Sequence, residues 1–123
     1  MTIQQLYEKI DGNYEQAVRV MKKDKLIDKY IRKLRNSDVG DMLARAGEAM
    51  DAGKLFESAH AMKGVCSNLG LDALASAADE ITEEFRSGNA RKLSDDAVRE
   101  KVEAILTRFR NTVQSIAEYE AGD

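Results

Sequence analysis

The chain has one histidine, His60, and the residues around it are those whose types and spacing can do chemistry. It lies in "AHAMKGVCSNLG", Ala59 to Gly70, followed closely by Lys63 and Gly64. At about 100° per residue, Leu55, Ala59, Met62, Cys66 and Leu69 form one apolar stripe that should face a core. His60 then lies about 140° from the middle of that stripe, with Phe56, Lys63, Gly64 and Ser67 as its neighbours on the outer side. An outward imidazole is a nucleophile, and a nearby ammonium screens added negative charge. Glycine in mid-helix costs roughly 1 kcal/mol relative to alanine. An outward Gly64 is not explained by core packing, but it leaves bare backbone beside the ring that admits the bulk of a docking protein. These are the requirements of phosphoryl transfer to or from a protein partner.

Other chemistries fit these residues less well. Glu57 and His60 form Glu-x-x-His, half of a di-metal bundle motif, but that motif must occur twice and point inward. A second histidine is lacking, and Glu57 should project outward, so no metal site is expected. Cys66 falls in the core stripe, where cysteine acts as a small apolar filler. No serine or aspartate stands at a spacing that would make His60 the base of a hydrolase. Neither G-x-x-x-x-G-K-[ST] nor G-x-G-x-x-G occurs, so no ATP-using kinase site is expected.

The elements that must position His60 are helical. Proline is absent, good helix formers are abundant, and no alternating β-branched run occurs. Short helices are expected over about 3–10 and 14–21, separated by the turn "DGN", with Thr2 capping the first. Asp24 is expected to cap a helix over about 25–35 with Leu26, Ile27, Tyr30, Ile31 and Leu34 inward. "NSD" marks a break, and a helix to about Met50 follows, with Val39, Met42, Leu43 and Ala46 inward. The His60 helix is expected over about 54–69, with Gly70 in the left-handed position that ends it. The next spans about 72–87, using Leu74, Ala77, Ala78, Ile81 and Phe85. The last spans about 95–119, with Val98, Val102, Ile105, Leu106, Phe109, Val113 and Ile116 inward. Short turns make neighbouring helices antiparallel. The expected fold is all-α: an up-down-up-down four-helix bundle over about 38–120, flanked by short N-terminal helices over about 2–36, in one domain covering 1–123.

Length and composition agree with this. A chain of 123 residues, 43% hydrophobic and 33% charged, has the size and balance of one globular domain. A net charge of −3 gives no general attraction to nucleic acid or anionic membrane. No apolar run approaches the roughly 20 residues of a membrane span, and "MTIQQLYEKI" does not read as a secretory signal. A single cysteine forms no internal disulfide, which points to a reducing, cytoplasmic setting. Met1 and the polar tail "EYEAGD" point to a free-standing chain, expected to be a monomer.

The stretch His60-Ala-Met-Lys63-Gly64-Val-Cys-Ser-Asn-Leu69-Gly70 resembles the H-x-L-K-G-x-S-x-x-L-G signature of histidine phosphotransfer (HPt) domains. The "ESAHAMKG" approach, the "LDALASAADEITEEFRSGN" helix and the long last helix extend the resemblance to about residues 24–120. Met62 replaces the usual leucine, and Cys66 stands where the family often has a small polar residue. The resemblance implies a four-helix bundle that relays phosphoryl groups in two-component signalling. It implies His60 as phospho-acceptor, Lys63 as phosphate-stabilising and Gly64 as the residue that keeps access open. Partners would be a response-regulator receiver domain or a hybrid sensor histidine kinase, with the aspartate and Mg²⁺ supplied by the receiver and no cofactor on this chain. Phe56 and Ser67 would lie at the docking face. The family often places Glu or Gln, bonded to the histidine ring, where this chain has the shorter Thr82. The alternative is a helical adaptor that docks a signalling partner without phosphotransfer.

Overall fold

Side chains fix where several of the helices begin. In the computed structural model, which describes residues 1–122, Thr2 and Gln5 form a reciprocal capping box at the start of α1 (Ile3–Lys9). Asn13 caps α2 (Tyr14–Met21), its side chain accepting from Gln16 N at 3.0 Å. Asp51 accepts from Lys54 N at 3.0 Å and caps α5 (Ala52–Asn68). Ser94 accepts from Ala97 N at 3.1 Å and caps α7 (Asp95–Glu120). The Asp51 cap draws Ala52 and Gly53 into the first turn of α5, so that helix begins earlier than periodicity alone predicts.

Two expected boundaries are corrected. Asp24 is the first residue of α3 (Asp24–Arg35), not its cap: the cap position is Lys23, without a side-chain bond. The Asp24 carboxylate instead accepts from the Tyr14 hydroxyl, and its charge suits the positive end of the helix. α6 (Asp72–Glu84) stops short of Ser87. The Glu84 carboxylate turns into the following loop and accepts from Arg91 Nε at 2.8 Å, Lys92 N at 3.0 Å and Leu93 N at 2.8 Å. Burial alone would raise its pKa, but the Leu93 N–H, the Arg91 guanidinium and the Lys92 N–H outweigh it and hold Glu84 below the ordinary carboxylate range. Asn89 Nδ2 donates to Glu83 O at 2.8 Å, satisfying a carbonyl at the end of the helix.

The four helices α4 (Val39–Ala49), α5, α6 and α7 form a closed ring of antiparallel neighbours, in which α5 packs most extensively on α6. Their core holds Leu43 and Ala46 of α4, Leu55, Ala59, Met62 and Cys66 of α5, Leu74, Ala78 and Ile81 of α6, and an α7 stripe from Val98 to Ile116. The same apolar cluster continues into Ile3, Leu6 and Tyr7 of α1, Ala17 of α2, and Ile27, Ile31 and Leu34 of α3. The N-terminal helices therefore share the bundle's core. Among the described residues there is no strand, and no helix is long and apolar enough to cross a membrane.

Met42 and Tyr30 depart from the expected inward set, being 40% and 37% exposed. The inward face of α4 runs through Val39, Leu43 and Ala46, and that of α3 through Ile27, Ile31 and Leu34. Met42 and Tyr30 lie at the edges of those stripes. Tyr30 is flanked there by the ammonium groups of Lys29 and Lys33, 5.6 and 5.4 Å from its ring centroid. Leu26, Ala77, Phe85 and Val113 are half-buried boundary residues.

Candidate functional site

Helical phase decides what α5 presents. Leu55, Ala59, Met62 and Cys66 are fully buried, while His60, Gly64 and Ser67 are exposed on the other side. Ser58 is also buried, its hydroxyl donating to Lys54 O at 2.7 Å. The bundle therefore holds α5 by one face and leaves the imidazole outside.

The His60 ring lies flat against Phe56, with centroids 5.5 Å apart and planes 7° from parallel. Phe56 is half-buried, and the Arg86 guanidinium sits 5.3 Å from its centroid. Arg86 is held in turn by Glu83, Nε to carboxylate 2.6 Å. One turn past His60, a Cβ built on Gly64 would meet nothing within 4 Å. Lys63 reaches across to α6, where its Nζ pairs with Asp79 at 2.8 Å. The face thus carries an exposed imidazole and a bare backbone patch, with the cations Lys63 and Arg86 each paired to a carboxylate of α6.

Thr82 does not join this group. It is fully buried on α6, and its hydroxyl donates to Ala78 O at 2.9 Å. A short side chain in a helix interior satisfies itself on the carbonyl one turn back, so Thr82 has no proton left to offer the imidazole. Cys66 is buried too, and desolvation pushes its thiol up to about 12, which keeps it protonated. Among the described residues no group of three or more His, Cys, Asp or Glu is arranged to hold a metal ion.

Sequence reasoning missed Asp79 and Arg86. Both lie one turn from Thr82 in the α6 region facing α5. The resemblance directed attention to position 82, and its helical neighbours were the available signal. Ala61, the residue after His60, and Val65 of α5 line an apolar groove with Tyr30 of α3 and Met42 of α4. Tyr30, Met42 and Val65 are three of the exposed large hydrophobic residues, and they gather in this groove.

The Hpt domain family matches residues 26–117, from α3 to near the end of α7. No curated protein and no solved structure matches the chain. The matched region takes in α4, α5, α6 and nearly all of α7, with the exposed histidine face, and the chain belongs to the Hpt domain family, the histidine phosphotransfer modules of two-component phosphorelays.

Proposed function

We propose that His60 accepts a phosphoryl group from the aspartyl phosphate of a response-regulator receiver domain and donates it to such an aspartate in the reverse step. The observation that carries this reading is an exposed imidazole beside a helical glycine with nothing within 4 Å of where its side chain would be. Open backbone there gives a partner's phosphoaspartate room to approach the ring in line.

In the accepting step a ring nitrogen attacks phosphorus. The N–P bond forms as the P–O bond to the aspartate breaks, and the carboxylate leaves with its electron pair. The other ring nitrogen keeps its proton. Lys63 offsets the negative charge brought to the site. The Mg²⁺ such a transfer uses belongs to the receiver, and this chain acts as a monomeric carrier. The apolar groove formed by Tyr30, Met42, Ala61 and Val65 supports a docking surface on one side of His60.

Incubation with a ³²P-labelled, Mg²⁺-loaded phosphoreceiver domain tests the reading. Label is expected on this chain in an acid-labile, base-stable linkage, and it should be absent from His60→Gln. Complex formation without movement of label would instead identify an adaptor.

A further inference from the structure

An exposed histidine has two free side-chain torsions, and transfer needs its ring in one orientation. Thr82 makes no hydrogen bond to that ring: it is fully buried, and its hydroxyl donates to Ala78 O. What does lie against the imidazole is the face of Phe56, at 5.5 Å and 7°. Phe56 is itself restrained: it is half-buried at the edge of the bundle, with the Arg86 guanidinium 5.3 Å from its centroid and Arg86 bonded to Glu83. The series Glu83, Arg86, Phe56, His60 therefore runs from α6 and the residues just after it to the ring on α5.

We propose that Phe56, held by Arg86, is the positioning residue of the His60 imidazole. A hydrogen bond to the ring would occupy one nitrogen. A stack restrains the ring through its face and leaves both nitrogens, which lie on the ring's edge, free for the incoming phosphoryl group and for solvent. The restraint is present before the partner arrives, so less side-chain freedom is lost in the transition state. Parallel aromatic contacts of this kind are worth about two- to tenfold in an equilibrium or rate. This inference rests on His60 being the acceptor.

The test compares wild type, Phe56→Leu, Phe56→Tyr and Arg86→Gln in transfer from a phosphoreceiver domain. Rates are measured across receiver concentration, at a temperature where every variant is folded. Phe56→Leu keeps apolar bulk but removes the flat ring. It should lower the saturating rate about two- to tenfold while the receiver concentration at half-maximal rate stays unchanged. Phe56→Tyr should restore the rate, and Arg86→Gln should lower it by a smaller factor. NMR relaxation of the His60 ring in the unphosphorylated protein should show a lower order parameter in Phe56→Leu than in wild type. An unchanged saturating rate with a raised half-maximal concentration would make Phe56 a docking residue and overturn the proposal. So would a Phe56→Tyr variant as slow as Phe56→Leu, or an unaltered ring order parameter. Failure of wild type to take label strikes the acceptor reading itself, whereas a labelled wild type matched by Phe56→Leu strikes only the stack.

Discussion

Gly64 and Gly70 belong to the same signature, yet the structure around them is opposite. Gly70 ends α5 with φ +70°, and a Cβ there would stand 2.1 Å from the Asn13 carbonyl oxygen. It completes a Schellman turn: Leu71 N donates to Cys66 O at 2.8 Å and Gly70 N to Ser67 O at 3.2 Å. The N-terminal segment docks on this turn through Asn13 N to Gly70 O and the Tyr7 hydroxyl to Leu69 O, both at 2.7 Å. Gly64 lies in regular helix with open space before it. One glycine is required by this chain's own backbone. The other carries the helix-propensity penalty of glycine with no intramolecular contact to explain it, which supports the proposal that it leaves room for a partner.

The sharpest way to break that comparison begins beside the open glycine. His60→Gln should abolish phosphoryl acceptance and leave the melting temperature near wild type, because the ring is exposed and only the nucleophile is removed. A large loss of stability would mean that the face is structural after all.

Gly70→Ala should act in the opposite sense. A left-handed alanine costs about 1–2 kcal/mol by itself, and the clash here is with backbone that cannot rotate away. A total loss of roughly 2–4 kcal/mol is expected in chemical denaturation. The protein that remains folded should still take label at His60. Wild-type stability in this variant would refute the close approach of Asn13 to the turn.

Gly64→Gln should separate the two properties within one variant. Helix propensity predicts a gain of up to about 1 kcal/mol in stability. Transfer should nevertheless slow by at least about tenfold, since a side chain now projects over the approach to the ring. Equal transfer rates for variant and wild type would leave Gly64 unexplained and remove the steric reading of the site.

The contrast also shows which parts of the molecule were legible in the sequence. The stripe Leu55, Ala59, Met62, Cys66 fixed the phase of α5, because apolar spacing reports directly which face must leave water. The exposure of His60 and Gly64 followed from that phase, and the turn at Gly70 from glycine's ease in the left-handed position. What sits across from that face was not legible. Arg86 over Phe56 and Asp79 on Lys63 depend on how α6 is set against α5, and helical periodicity says nothing of an opposing helix's register. Thr82 shows the same limit: its alignment suggested a partner for the histidine, but burial and a nearby carbonyl settled its hydrogen bond. The end of α6 escaped because three donors seven to nine residues on, in the loop that follows, hold the Glu84 carboxylate.

The smallest expected effect concerns Lys63, the cation next to Gly64. Lys63 and Asp79 are 38% and 42% exposed in their side chains, so their pairing is worth roughly 0–1 kcal/mol and is sensitive to salt. An arriving phosphoryl group competes with Asp79 for the same ammonium, and Asp79 adds a negative charge of its own. Asp79→Asn should therefore raise the phosphorylated fraction of His60, at equilibrium with a phosphoreceiver, by about two- to fivefold at low ionic strength. Lys63→Gln should lower it. In a Lys63→Gln background the Asp79→Asn change should lose most of its effect, because the competition needs the ammonium. Near 1 M salt the screening length falls to about 3 Å, and the single-variant differences should shrink toward wild type. A lowered phosphorylated fraction in Asp79→Asn would show that Asp79 holds Lys63 in position for the phosphoryl group rather than away from it. The pair would then belong with the turn at Gly70, as part of what builds the site, and not with the open face at Gly64.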